Sequence, residues 1–211
     1  MQQPASPSTP EIYDLGMQDY HKIWQKMKDY TLSRNQTSSN QIWLVEHPPI
    51  FTLGRVGKAS NLHQQTNIPL VKTDRGGDIT YHGPGQLIAY LLFDIRRDGI
   101  GIKNFVRLIE QSVIDYLQTL NIPSERKTGH PGIYTQHGKI AALGLNCKQQ
   151  GTYHGVSINI NMNLTPFQYI NPCGLSQAVT HIQRWYPQIT IEQSKTNWLN
   201  AFIPLWNRNN G

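Results

Sequence analysis

Three stretches of this 211-residue chain hold side chains able to do chemistry. The first is Arg75-Gly76-Gly77-Asp78-Ile79-Thr80-Tyr81-His82-Gly83-Pro84-Gly85-Gln86. Glycine loses more conformational entropy on folding than any other residue, so a loop this rich in it usually lies close to something. Arg75, Thr80, Tyr81 and His82 would then supply donors to a polar group in a pocket; the competing reading is a tight turn between two strands. Neither G-x-G-x-x-G nor G-K-[ST] is present, so the loop is not a nucleotide fingerprint. The second is Lys139, which leads into the small, apolar run Ile140-Ala141-Ala142. It is either a snorkelling surface lysine or an ammonium aimed at a site. The third is Cys173, between Pro172 and Gly174 on a constrained turn that can present a thiol, although a free cysteine more often packs as a small hydrophobe. Cys147 shows no feature that points to function. His154 shares the parity of the apolar residues that follow it and reads as a structural histidine.

The elements that must position these residues follow from periodicity. A first helix is expected from Met17 to about Tyr30, with Ile23, Trp24, Met27 and Tyr30 on one face. Gln41 to Glu46 reads as a strand stopped by His47-Pro48-Pro49, and Leu87 to Phe93 as a strand buried on both faces. A helix from about Ile102 to Leu120 carries one apolar stripe and is closed by Pro123. Gly138 to Asn146 reads as a strand entered through a glycine turn. In the stretch Val156 to Leu164, Val156, Ile158, Ile160, Met162 and Leu164 alternate with polar Ser157, Asn159, Asn161 and Asn163, giving a strand with one packed and one polar face. A weaker last helix spans Asn197 to Trp206, interrupted by Pro204. Strands outnumber helices in irregular order, which predicts an α+β fold with a mixed sheet flanked by helices. Residues 1–10 read as a flexible tail and 11–211 as a single catalytic domain.

Composition removes several classes. Charged residues make up only 15% of the chain, too few for a charged disordered segment. Two cysteines cannot build a disulfide framework, and there is no C-x-x-C pair to bind a metal. The first residues lack the apolar core of a signal peptide, and the longest apolar run is strand-sized. A cytoplasmic protein with no membrane partner is the expectation. The excess of 19 Lys+Arg over 13 Asp+Glu gives +6, which suits an acidic partner. A nucleic-acid role is not favoured, because there is no basic run or recognition motif.

In this order, EHPPIFTLGR, RGGDITYHGPGQLIAY, GKIAALGL, TYHGVSINI and INPCG resemble the lipoyl(octanoyl) transferase family, over roughly Glu46 to Leu175. The pattern R-G-G-x-x-T-x-H-x-P-G-Q is long and specific. The resemblance implies an acyltransferase of lipoate biosynthesis with a biotin/lipoate protein ligase-like fold. It would move an octanoyl group from octanoyl-acyl carrier protein to a lysine of lipoyl domains, those of 2-oxoacid dehydrogenases and of the glycine cleavage H protein. No cofactor and no metal is implied. An ATP-dependent lipoate–protein ligase of the same fold is the nearest alternative, but it would not need a nucleophilic thiol.

The family further implies a Cys/Lys dyad on Cys173 and Lys139. The chemistry makes sense independently, because an ammonium beside a thiol favours the reactive thiolate. The same carry-over makes Arg75, Gly76, Gly77, Asp78, Ile79, Thr80, Tyr81 and His82 one wall of the acyl pocket. Ala142, Leu143 and Gly144, with Gly155, Val156 and Ser157, would close it. Burying eight carbons supplies ~5 kcal/mol or more of gross affinity. Backbone N–H groups near Gly76, Gly77 or Gly144 are the expected oxyanion donors.

Overall fold

The computed structural model describes residues 9–148, 151–171 and 178–209. In chain order the elements are β1 (Glu11–Met17), α1 (Tyr20–Ser33), β2 (Gln41–Glu46), β3 (Ile50–Leu53), β4 (Leu70–Lys72), β5 (Ile79–His82), β6 (Gln86–Leu92), α2 (Ile102–Thr119), β7 (Glu125–Lys127), β8 (His130–Thr135), β9 (Gly138–Lys148), β10 (Gly151–Asn159) and α3 (Ile191–Asn209). Seven strands form a mixed sheet in the order β1-β2-β6-β10-β9-β8-β7, in which β1 runs parallel to β2 and the other pairs are antiparallel. A second sheet of three strands has the order β4-β3-β5.

β6 explains why both faces of the large sheet are covered. Leu87, Ala89 and Leu91 pack with α2 and α3, whereas Ile88, Tyr90 and Leu92 pack with Ile23 and Met27 of α1. A strand buried on both sides needs apolar residues at both parities, and hence shows no alternation. The α2 stripe expected from sequence is present: Phe105, Ile109, Val113, Tyr116 and Leu117 are fully buried.

Three boundaries differ from the sequence reading. The expected first helix begins at Tyr20, capped by Asp19, whose Oδ1 accepts from Lys22 N at 3.0 Å. The residues before it form β1, an edge strand that is mostly exposed and so carries little apolar patterning. The strand expected from Val156 to Leu164 is instead β10, which starts earlier and ends at Asn159, where Ile160 N and Asn161 N both donate to Gly85 O at 3.1 Å. α3 starts before Asn197 and runs through Pro204. Its start is a capping box: Gln193 N donates to Thr190 Oγ1 and Thr190 N to Gln193 Oε1, both at 3.1 Å. An internal proline costs about 3 kcal/mol. Trp198, Phe202 and Trp206, one turn apart and fully buried, each return about 1.5–3 kcal/mol, so packing outweighs the proline.

Candidate active site

A cavity of about 200 Å³ opens between the β5 region and the β9–β10 pair. The loop entering β5 is wired from below. Arg75 is buried; its Nε and Nη2 donate to Thr52 Oγ1 at 3.0 and 2.9 Å, and its Nη1 donates to Gly76 O at 2.9 Å. Gly54 packs against this loop so closely that a Cβ there would lie 2.1 Å from Gly77 O. Gly76 N donates to Leu145 O at 2.9 Å, fastening the loop to β9. Backbone thus passes backbone at Gly54, and Gly77 takes a φ of +83°, a left-handed conformation that glycine adopts at no steric cost.

Lys139 borders the cavity. It is paired across the sheet with Tyr134, and its Nζ stands 5.3 Å from the centre of that ring, a cation–π contact. Gly132 makes room for the lysine stem, since a Cβ there would come within 2.6 Å of Lys139 Cε. Gly132 N in turn donates to Glu110 Oε1 of α2 at 3.2 Å, and Arg126 closes on the other oxygen of Glu110 at 3.1 Å. A helix carboxylate thereby sets the strand that shapes the lysine's slot.

Beside the cavity lies a buried polar layer. His47 donates Nδ1–H to Gln18 O at 2.6 Å and accepts the Tyr90 hydroxyl on Nε2 at 2.7 Å. Burial pulls its pKa down to about 4, so it is neutral. His82 is neutral too, pulled to about 3 by burial and then by neighbouring His47. Asp74 accepts from Trp24 Nε1 at 3.0 Å, His154 Nε2 at 2.9 Å and the Tyr153 hydroxyl. Burial alone would raise the Asp74 carboxyl; the bonds from His154, Tyr153 and Trp24 outweigh it and hold the group well below the usual carboxylate range. His154 is lowered by burial, which exceeds the opposing pull of Asp74. Asn146 completes the set, donating to Asp74 O at 2.8 Å and to Tyr153 Oη at 2.9 Å.

His154 departs from the parity expected of it. Its φ is +61°, and its ring stacks on that of Tyr153 with centroids 5.0 Å apart. In a regular strand consecutive side chains point to opposite faces; the left-handed residue turns both onto Asp74. The next residue must be glycine, because a Cβ on Gly155 would lie 2.0 Å from Ala89 O. Ser157, expected in the pocket wall, and Asn159, expected only on the polar face of the strand, are both buried and border the cavity.

All the expected wall residues except Gly76 and Tyr81 border this cavity. Gly76 is consumed in fastening the loop, and its N–H is already bonded to Leu145 O, so it is not available as an oxyanion donor. Tyr81 points the other way, into a cluster with Phe51, Met162 and Phe167. Cys173 lies outside the described residues, as do Pro172 and Gly174. Cys147 is exposed, and its thiol is raised by burial of the sulfur and then by Asp94, consistent with an unreactive group. Sequence reasoning missed Asp74, Tyr90, His47, Gln86 and Asn159. Asp74 directly precedes the R-G-G motif and Gln86 ends it, so adjacency was the one available signal; His47, just after β2, and Tyr90, in β6, are distant in sequence.

The buried neutral histidines give this layer a pH signature. In the unfolded chain a histidine has a pKa near 6.5 and binds a proton below it; His47 and His82 stay neutral in the fold until about pH 4 and 3. Between these limits the unfolded state holds more protons, so stability falls as pH falls. Near pH 5 the two together predict a slope of about 3 kcal/mol per pH unit. Urea midpoints measured from pH 7 to 4.5 would show it, with His47→Gln roughly halving the slope. Stability that is flat across this range would contradict the assignment.

The same architecture occurs in known proteins. The model of the lipoyl protein ligase A/B catalytic domain matches residues 19–203. An octanoyltransferase of Vesicomyosocius okutanii subsp. Calyptogena okutanii is 51% identical over 163 residues, covering 77% of this chain and 80% of that protein. One from Legionella pneumophila (strain Lens) is 42% identical over 193 residues, covering 91% of this chain and 97% of its own. Among solved structures, lipoate-protein ligase A bound with ATP superposes with a TM-score of 0.78 at 11% identity, over 94% of this chain and 85% of that one. Biotin protein ligase from Aquifex aeolicus, in complex with biotin and ATP, gives 0.60 at 12% identity over 95% and 72%. The fold is thus the biotin/lipoate protein ligase-like mixed sheet flanked by helices. The chain belongs to the lipoyl protein ligase A/B catalytic domain family, among its octanoyltransferases.

Proposed function

We propose that this acyltransferase moves an octanoyl group from octanoyl-acyl carrier protein to the ε-amine of a lysine on a lipoyl domain, through an acyl-thioester on Cys173. One observation carries the reading. Lys139 borders a cavity of suitable lining, and its own backbone holds residues 178–180, with Lys139 N donating to Ala178 O at 2.8 Å and Thr180 N to Lys139 O at 2.9 Å. Ala178 follows Cys173 by only five residues in the sequence, a short span from a segment bonded to Lys139 itself.

In the first step the Cys173 thiolate attacks the thioester carbonyl. The carrier's phosphopantetheine thiolate leaves and takes a proton from the Lys139 ammonium. In the second, the neutral amine of the acceptor attacks the acyl-Cys173; the amide forms, the Cys173 thiolate leaves, and the amine proton returns to Lys139. Thioester exchange is nearly balanced and amide formation runs downhill, so the cycle closes with no ATP. The cavity wall formed by Ile79, Ala142, Leu143, Gly155 and Val156 would hold the alkyl chain beside backbone. Acceptors would be the lipoyl domains of 2-oxoacid dehydrogenases and the glycine cleavage H protein. Both partner types are acidic in these families, so the charge of +6 would speed encounter at low salt.

Incubation with octanoyl carrier protein and no nucleotide, followed by peptide mass spectrometry, tests the reading. One octanoyl group on Cys173, released on adding a lipoyl domain, is expected. Transfer that requires ATP and free octanoate would favour the ligase reading and overturn this one.

A further inference from the structure

We propose that Asn159 is a positioning residue for the transfer: its side-chain amide, oriented by Gln86, fixes the stretch 178–180 against Lys139. The inference rests on the transfer reading above. β10 pairs with β9 as far as Ile158, opposite Ala141. Beyond that point β9 changes partner, and Lys139 is bridged in parallel to Val179. Asn159, the last residue of β10, spans the change: its Nδ2 donates to Thr180 O at 2.9 Å, and its Oδ1 accepts from Gln86 Nε2 at 2.9 Å.

The polarity of this chain of hydrogen bonds is set at both ends by backbone. Thr180 O can only accept, so the NH₂ end of Asn159 must face it and the oxygen must face Gln86. Gln86 Nε2 also reaches Tyr81 O, at 3.3 Å, another pure acceptor. Gln86 therefore turns its oxygen to His82, which donates Nδ1–H at 2.7 Å. That leaves His82 Nε2 to accept from the Thr52 hydroxyl at 3.4 Å, while the Thr52 oxygen accepts from Arg75. Gln86, His82 and Asn159 are all buried, and an amide that flips sets like groups against each other and breaks two of these hydrogen bonds.

The relay thus runs from Arg75 under the glycine-rich loop to Thr180, whose N–H is bonded to Lys139 O. It gives a reason for the R-G-G to P-G-Q spacing: the motif's last residue orients the amide that holds the chain leading away from Cys173. Gly138 keeps that chain close, since a Cβ there would come within 2.3 Å of Ala178 O.

Three full-length variants test the proposal. Asn159→Ala removes the clamp. Asn159→Asp keeps an acceptor for Gln86 but sets a carboxylate oxygen against Thr180 O. Gln86→Glu leaves Thr180 itself untouched and replaces the donor to Asn159 Oδ1 and Tyr81 O by an acceptor. Each is expected to lower kcat for octanoyl transfer about 10- to 100-fold, with KM for the carrier changed less than about threefold. Each should also raise the midpoint of the Cys173 alkylation-versus-pH curve by about one unit. Gln86→Glu combined with Asn159→Ala should lose clearly less than the two separate losses together, the mark of a shared path. If Asn159→Ala does not fold, Asn159→Asp and Gln86→Glu decide. An unchanged alkylation midpoint in those two, or additive losses in the pair, overturns the positioning role while leaving the transfer reading intact. Absence of acyl-Cys173 in the unmodified enzyme overturns the transfer reading, and this inference with it.

Discussion

Cys173→Ala should lose at least about 10³-fold of its octanoyl-transfer rate and accumulate no acyl-enzyme. Without the thiol, the acceptor amine must attack the carrier thioester directly, at a site where donor and acceptor would have to be present together. In the proposed mechanism the covalent step separates them, since the carrier would leave before the lipoyl domain arrives. The parallel substitution Cys147→Ala should leave the rate unchanged, because that thiol is exposed and its pKa is raised. Initial rates of acceptor modification, with urea midpoints to confirm folding, would compare the two. A Cys173→Ala enzyme within about tenfold of the unmodified rate would remove the covalent intermediate from the mechanism.

Lys139→Met should slow acylation of Cys173 by about 10²-fold and raise the thiol's alkylation midpoint by one unit or more. Methionine fills the slot between Gly132 and the Tyr134 ring with a stem of similar length, so lost packing is a minor part of the effect. What would disappear, on the proposed mechanism, is the charge that stabilises the thiolate and the proton that the leaving thiol takes. Lys139→Arg separates the two roles: guanidinium keeps the charge but holds its proton far above neutral pH. It should restore much of the alkylation shift and little of the turnover. If the alkylation curve of Lys139→Met overlays that of the unmodified enzyme, the pKa-lowering role fails.

Much of the fold was legible because it was written in local pattern. β6 was readable since burial on both faces demands an unbroken apolar run, and α2 since one packed face demands a stripe at helical spacing. β1 was not, because an edge strand buries little and needs no such pattern. α3 was read too short because the proline was weighed locally. The three buried aromatics one turn apart that override it act only once the sheet is there to receive them. In β10 the alternation shows a packed and a polar face, and alternation alone does not tell a face toward water from one toward a cavity, which is where Ser157 and Asn159 stand.

By itself the sequence determined the family and the mixed sheet flanked by helices, and it named many of the residues that border the cavity, since long motifs and hydrophobic periods are properties of consecutive residues. Only the tertiary structure decided that His154 turns with Tyr153 onto Asp74, that Gly76 spends its N–H on β9, and that Asn159 spans the point where Lys139 changes partner. Each depends on chain segments far apart in sequence, from Asp74 to His154 and from Gln86 to Asn159 to Thr180. Hydrogen-bond polarity and close backbone approach between such segments exist only once burial has brought them together and removed the water that would otherwise satisfy them.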